Sequence, residues 1–180
     1  MLRLFIGIRP TAPVRDALLD AMEGIENARW QDDDQLHLTL RFVGEVSEDR
    51  ADDLVSALAR IRLAPFPVTI SGTGSFEKKG RISAVWARVE PSAALLALQG
   101  KVERACQSAG LPPEGRKYCP HITMARLNRS SQDAREWLSE TGLLRTKPFQ
   151  VKRFVLFESR LTDHGSEYEQ IVHFPLISEV

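Results

Sequence analysis

Cysteine is scarce in this sequence, since Cys106 and Cys119 are the only thiols among 180 residues. They lack the close spacing of zinc ligands, and a chain of this length can bury a core without a disulfide framework. No apolar run is long enough to cross a bilayer, and the apolar segment 2–8 stops at Arg9-Pro10, too short for a signal peptide. We therefore expect a cytoplasmic protein with no membrane segment.

Excess charge of either sign is also missing, because 24 basic residues balance 24 acidic ones. A long, non-specific nucleic-acid surface normally needs a basic excess. Two local basic runs, Lys78-Lys79-Gly80-Arg81 and Arg116-Lys117, fall in predicted loops, where solvated charge is their ordinary explanation. Any nucleic acid should therefore be held locally, at one end or one nucleotide.

Histidine is scarce too, yet two of the four histidines share one pattern. His37-Leu38-Thr39-Leu40 and His121-Ile122-Thr123-Met124 are separated by 84 positions, which is 121 minus 37. Each tetrapeptide predicts a strand, and side chains two apart on a strand share a face. If the two strands pair or face each other, two imidazoles and two hydroxyls converge.

The sequence around each motif repeats as well. An apolar strand and a helix precede each motif, and a second helix and a Pro-Phe strand follow it. These segments are the strands Leu2–Ile8 and Ile82–Val89, the helices opened by Thr11 and Ser92, the helices opened by Ser47 and by Ser130 or Ser131, and the strands at Pro65-Phe66 and Pro148-Phe149.

Such a long repeat indicates a duplicated domain rather than a solenoid. We predict an α+β fold in which two antiparallel-rich sheets face a central cleft, with helices on the outside. Residues 1–180 should form a single bilobal domain, with halves at roughly 1–75 and 81–160 and a C-terminal hairpin over 151–177.

Two imidazoles and two hydroxyls suit the hydrolysis of a phosphodiester. Imidazole has an ordinary pKa of about 6.5, so one ring can accept a proton while the other donates one. Hydroxyl groups can stabilise the non-bridging oxygens, where charge accumulates. Two histidines without a paired carboxylate or thiol make a poor ligand set, so we expect no metal and no cofactor.

The paired motifs resemble the two-histidine (2H) phosphoesterase superfamily. They are most similar to its bacterial and archaeal RNA 2′,3′-cyclic phosphodiesterase branch, also described as 2′–5′ RNA ligases. The resemblance covers nearly the whole chain and rests on Arg29-Trp30, on His37–Gly44 and on Pro120–Arg126. Met124 replaces the commoner Leu, which is a conservative change.

This resemblance implies metal-independent hydrolysis of a terminal RNA 2′,3′-cyclic phosphate to a 2′-phosphomonoester. It makes His37 the proton donor to the leaving 3′-oxygen and His121 the proton acceptor that activates water. Thr39 and Thr123 are implied phosphate ligands. The implied partners are RNA ends that bear the cyclic phosphate, or nucleotides, and we expect a monomer.

Two further positions are related by the repeat, because Phe42 and Arg126 each lie five residues after a motif histidine. The resemblance suggests that Arg126 contacts the phosphate and that Phe42 packs against a base or sugar. Strict alternation places both on the face opposite the histidines, so the assignment needs a β-bulge or a strand end. Arg41 has the parity of His37 and is the alternative candidate.

The residues leave other functions open. The same pair could act on 2′–5′ linkages or on another cyclic phosphate, and reversal would join RNA ends through a 2′–5′ bond. A different class of function is an RNA-end or nucleotide-binding module without turnover.

Overall fold

The computed structural model describes residues 1–179, which fold into ten β-strands, four α-helices and one 3₁₀ turn. The strands are β1 (Leu2–Ile8), β2 (Arg29–Trp30), β3 (Leu38–Val46), β4 (Phe66–Val68), β5 (Ile70–Lys78), β6 (Arg81–Val89), β7 (His121–Arg126), β8 (Phe149–Val151), β9 (Arg153–Thr162) and β10 (Gly165–Pro175). The helices are α1 (Ala12–Asp20), α2 (Glu48–Leu58), α3 (Ala93–Ser108) and α4 (Arg135–Glu140), and the 3₁₀ turn is Asp33–Gln35.

Two four-stranded antiparallel sheets form the centre of the fold, in the orders β10-β9-β1-β3 and β2-β7-β6-β5. The predicted α+β class is confirmed. Each sheet is completed by strands from the other half of the repeat, since β9 pairs with β1 and β5 pairs with β6. The two Pro-Phe segments, β4 and β8, pair with each other as a separate two-stranded sheet.

One face of each sheet packs against helices. The main core joins alternate residues of β1, namely Leu4, Ile6 and Ile8, to helix residues such as Leu18 and Leu98. Two predicted helix starts are confirmed, because the Ser47 and Ser92 hydroxyls accept hydrogen bonds from backbone N–H groups of the first helical turns. The opposite faces of the sheets face the cleft. On β1 this face carries Phe5 and Gly7.

The predicted start of the fourth helix at Ser130 or Ser131 is wrong. These two serines form a turn with Asn128, whose side-chain oxygen accepts a hydrogen bond from the Ser130 N–H. The helix begins only at Arg135. Short polar side chains compete with the helix for backbone hydrogen bonds, so a serine pair marks a turn as readily as a cap.

Arg41 connects β3 to α3 through hydrogen bonds on the helix side of the sheet. Its side chain is only 7% exposed, and its Nε donates to Glu103 Oε2 at 2.6 Å. Its other nitrogens donate to the carbonyl oxygens of Phe42 and Pro112. The alternation argument that placed Arg41 on the face of His37 is therefore wrong, because this guanidinium lies on the helix side.

We expect Arg41→Ala to lower the free energy of unfolding by about 3–5 kcal/mol, because it removes a buried guanidinium and leaves the Glu103 carboxylate, which is only 17% exposed, without its counter-charge. Urea denaturation measures this loss. Arg104→Ala is the matched control, since Arg104 is exposed on the same helix, and it should change stability by less than about 0.5 kcal/mol. Full stability in Arg41→Ala together with lost substrate binding would instead make Arg41 a ligand.

Candidate active site

A β-bulge in each motif strand decides which side chains face the cleft. On β3, Thr39 pairs with Gly7 and Arg41 pairs with the adjacent Ile6, so Leu40 is an extra residue. The parity of the strand changes there. Phe42 consequently shares the face of His37 and Thr39, and it is 54% exposed.

The second motif carries the same irregularity. Thr123 pairs with Trp86 and Ala125 pairs with the adjacent Val85, so Met124 is the extra residue. Met124 and Ala125 are consecutive buried residues, and Arg126 emerges on the exposed side with Thr123. The bulges that the Phe42 and Arg126 assignments required are present at equivalent positions of the repeat.

The two motif strands belong to different sheets yet lie next to each other. Tyr118, just ahead of the second motif, donates its hydroxyl proton to the Thr39 carbonyl oxygen at 2.9 Å. His121 also lies close enough to affect the pKa of His37 through its charge. The structure thus brings both histidines and both threonines to one cleft.

Both imidazoles are held by the same backbone contact. Nδ1 of His37 lies 2.7 Å from the Gln35 carbonyl oxygen, and Nδ1 of His121 lies 2.7 Å from that of Cys119. A carbonyl oxygen can only accept, so each Nδ1 carries a proton. This leaves each Nε2 as the nitrogen that can take or give a proton.

Aromatic rings surround His37. Its ring centroid lies 4.6 Å from that of Phe5 and 5.2 Å from that of Tyr168, whose ring meets it edge-on. Phe5 also stacks on Phe157 at 4.7 Å. These rings belong to a small apolar cluster with Val155 that is separate from the main core. This cluster forms an apolar wall that limits the access of water to His37.

His121 has its own aromatic support. Phe76 meets its ring edge-on at 4.9 Å, and Trp86 lies at 5.5 Å. Trp86 is buried, as expected of a core residue, but it lies on the cleft side of its sheet, opposite Thr123. Gly74 pairs with Trp86, and a Cβ at position 74 would overlap the indole ring. The glycine therefore gives the indole its place below His121.

Burial away from water lowers the pKa of His37 from 6.5 to about 4. The positive charges of His121, Arg126 and Arg9 act in the same direction, and only the hydrogen bond to the Gln35 carbonyl opposes them. Burial also lowers the pKa of His121, and Arg126 adds to this effect. Both imidazoles are thus neutral in the free protein at pH 7, and a bound anion would favour their protonation.

Arg9 holds the segment that carries the first motif. Its guanidinium donates to the backbone carbonyl oxygens of Asp33 and Leu36 and pairs with the Asp33 carboxylate at 3.2 Å. Arg15 pairs with the same carboxylate at 3.0 Å. The 3₁₀ turn that supplies the Gln35 carbonyl is therefore fixed by ion pairs. Arg9 follows directly after the apolar strand 2–8, and no local sequence pattern signals its role.

The threonines supply hydroxyls that the protein itself does not use. Within residues 1–179, neither the Thr39 nor the Thr123 hydroxyl has a hydrogen-bond partner, and both side chains are half-buried on the cleft side. Arg126 is exposed and makes no ion pair with any residue of the described chain. These groups can donate to a phosphate.

Two observations bear on metals and membranes. In the part of the chain that the structure covers, no three His, Cys, Asp or Glu side chains gather in a cluster that could hold a metal ion. Among the four described helices, none is long and apolar enough to span a bilayer.

Comparison with known proteins identifies the family. Residues 10–163 match the 2′-5′ RNA ligase superfamily. The chain belongs to this superfamily. It is 34% identical to an RNA 2′,3′-cyclic phosphodiesterase of Aeropyrum pernix over 78% of this chain and 81% of that protein. It is 29% identical to the protein of the same name from Geobacillus stearothermophilus, spanning 96% of this chain but only 57% of that protein.

A solved structure shares the fold. The crystal structure of TT0787 of Thermus thermophilus superimposes with a TM-score of 0.80 and 26% identity, over 99% of this chain and 100% of that one. The resemblance stated from the motifs is confirmed at the level of family and fold.

We expect the His37 ring to titrate near pH 4 in the free protein, as histidine-selective NMR would measure. Below pH 6.5 the unfolded chain binds a proton that the folded chain does not bind, so stability falls as the pH drops from 6.5 towards 4. His37→Asn should lack this part of the pH dependence. Inorganic phosphate should raise the pKa, whereas a ring that titrates near 6.5 without ligand would contradict this description of the site.

Proposed function

We propose that this protein hydrolyses the 2′,3′-cyclic phosphate at the end of an RNA to a 2′-phosphomonoester, using His37 and His121 as a metal-independent acid–base pair. The observation that carries the proposal is the duplicated contact of Nδ1 with a backbone carbonyl, which leaves two Nε2 atoms for proton transfer at one cleft. The names of the relatives from Aeropyrum pernix and Geobacillus stearothermophilus support the same activity.

In the proposed reaction, the cyclic phosphate lies between the two imidazoles. His121 Nε2 removes a proton from water, whose oxygen forms a bond to phosphorus. The bond from phosphorus to the 3′-oxygen breaks, and His37 Nε2 gives that oxygen its proton. The phosphate stays on the 2′-oxygen. The acid and base roles follow the family resemblance, since both rings are oriented alike.

The residues around the phosphorus stabilise the charge that develops there. The hydroxyls of Thr39 and Thr123 donate to the non-bridging oxygens, which become more negative in the transition state. Arg126 adds a positive charge on the same side of the cleft. Phe42, exposed on the rim beside Phe5 at a ring distance of 6.3 Å, supplies a flat apolar surface for the terminal sugar or base.

The low pKa of His37 is compatible with its role as the acid. Protonation of His37 is unfavourable in the free protein, because the ring is desolvated and lies near positive charges. A phosphate anion bound in the cleft places a negative charge beside the ring. This charge favours the protonated form and so raises the pKa of His37. Substrate binding, rather than the bulk pH alone, then gives the acid its proton.

The same pair also suits RNA joining. A 5′-hydroxyl that takes the place of water loses its proton to His121 and attacks the cyclic phosphate, the bond from phosphorus to the 3′-oxygen breaks, and His37 gives that oxygen its proton, which leaves a 2′–5′ linkage. Action on a pre-existing 2′–5′ linkage needs the same groups. Product analysis separates these reactions from binding without turnover.

We expect the wild-type protein to convert an RNA oligonucleotide with a 2′,3′-cyclic phosphate to the 2′-phosphate, as phosphorus NMR of the product can show. His37→Ala and His121→Ala should each lose at least about 10²–10⁴-fold in kcat, since each removes one proton transfer. His164→Ala is the control, because His164 lies exposed in the β9–β10 turn. Circular dichroism should show an unchanged fold.

Wild-type rates in either motif variant would overturn the assignment. Activity that disappears in EDTA and returns with added metal would overturn the metal-independent mechanism. Tight binding of the product without any turnover by the wild-type protein would leave the RNA-end binding function instead.

Thr39→Ala should keep the fold and lose about 10²–10³-fold in kcat, because it removes one donor to the charged phosphate oxygens. Thr39→Ser is the matched variant, since it keeps the hydroxyl and should recover most of the rate. Steady-state kinetics on the same oligonucleotide measures both. Equal losses in the two variants would mean that the methyl group and its packing matter, rather than the hydroxyl.

A further inference from the structure

Two arginines lie directly opposite each other at the edge of the second sheet. Arg29 on β2 pairs with Arg126 on β7, and Trp30 pairs with Ala125. Residues directly opposite in an antiparallel pair point to the same face. Because the bulge at Met124 turns Arg126 to the face of His121, Arg29 lies on that face too.

This pair of like charges has no counter-charge in the described part of the chain. Both arginines are exposed, and neither forms an ion pair or a side-chain hydrogen bond within residues 1–179. Like charges directly opposite on neighbouring strands destabilise the pairing. Some arginines, such as Arg9 and Arg41, have carboxylate partners, whereas exposed ones such as Arg60 have none in the described chain. What distinguishes Arg29 and Arg126 is that they lie directly opposite each other. A bound anion would relieve the repulsion at Arg29.

A cavity of about 540 Å³ is lined by both arginines. Its polar lining comes from Arg29, Arg126, Asn27, Asn128 and Ser130, and neither motif histidine lines it. The cavity therefore adjoins the catalytic cleft through Arg126 without being part of it.

The walls of this cavity are braced by hydrogen bonds. Asn27 donates its side-chain amide to the Ser130 carbonyl at 3.1 Å, and Ser131 donates its hydroxyl to the Asn27 carbonyl at 3.0 Å. The Asn128 side chain accepts from both the backbone and the hydroxyl of Ser130. The loop that follows β7 is thus tied to the segment before β2, so the cavity exists before any ligand arrives.

We propose that this cavity binds the second phosphate of the RNA end, the one on the 5′ side of the terminal nucleotide, with Arg29 as its principal contact. The inference rests on the proposed function, which places the cyclic phosphate between the histidines. Arg126 then lies between the two phosphates. An arginine presents a planar fork of donors that suits a phosphate.

We expect the protein to contact this phosphate of the RNA and no phosphate beyond it. An adjoining cavity of about 410 Å³ shares Leu127 and Asn128, but its charged lining includes Glu77 and Asp133 as well as Arg81 and Arg135. A lining with charges of both signs does not favour the binding of a polyanion. The site thus distinguishes an RNA end, which has an internal phosphate, from a mononucleoside cyclic phosphate, which has none.

Calorimetry with two product-like probes tests this subsite without requiring turnover. Adenosine 2′-phosphate carries only the phosphate of the catalytic cleft, whereas adenosine 2′,5′-bisphosphate also carries one at the 5′ position. The wild-type protein should bind the bisphosphate at least about tenfold more tightly, as expected of one charged hydrogen-bonded contact. Arg29→Ala should lose this advantage, and Arg29→Lys should keep part of it.

The matched control is Arg60→Ala, which removes an exposed arginine near the end of α2 and should keep the full advantage. Equal affinities of the wild-type protein for the two probes, or an advantage that persists in Arg29→Ala, would overturn the subsite. If an Arg29-dependent advantage is seen but RNA cyclic phosphates are not hydrolysed, the subsite stands and only the proposed reaction fails.

Discussion

One extra residue in each motif strand is the constraint on which the cleft depends. Regular alternation would give each strand a histidine and a threonine on the inner face and would bury the residue five positions after the histidine. The bulges at Leu40 and Met124 shift that alternation. They add Phe42 and Arg126 to the inner face while the two bulged residues themselves stay in the core. A small backbone irregularity therefore gives each motif a third side chain at the site.

The duplication makes the two imidazoles alike in orientation but not in surroundings. Both donate Nδ1–H to the carbonyl oxygen two residues earlier. His37, however, lies against the separate aromatic cluster around Phe5 and near the charge of Arg9, whereas His121 packs on Phe76 and Trp86. Burial lowers the pKa of both rings, and positive charge on His121 and Arg9 acts on His37 as well. The two rings therefore share one orientation, which follows from the repeat, but differ in the charges and aromatic side chains around them.

The sequence predicts those parts of the site that follow from period and repetition. Thr39 and Thr123 could be found because a strand period of two relates each to its histidine, and the repeat doubles the signal. The face of the sheet on which Arg41 lies could not be predicted, because it depends on the bulge at Leu40, a residue that has no partner on β1. The place of Trp86 beneath His121 could not be predicted for a related reason. It depends on Gly74 in β5, an edge strand whose polar, glycine-containing sequence shows no clear alternation.

The arginines of this protein differ in what surrounds them. Where Arg41 and Arg15 serve the fold, each is matched by a carboxylate, so their charge is largely neutralised locally. Arg29 and Arg126 form no ion pair within residues 1–179 and lie opposite each other on neighbouring strands, with Arg126 close enough to affect the pKa of both histidines. Affinity for a polyanion along a basic surface grows with the number of phosphates contacted and falls steeply with salt. Under the proposed function, Arg29 and Arg126 contact only the phosphates at the end of an RNA, which suits recognition of an end rather than of a long chain.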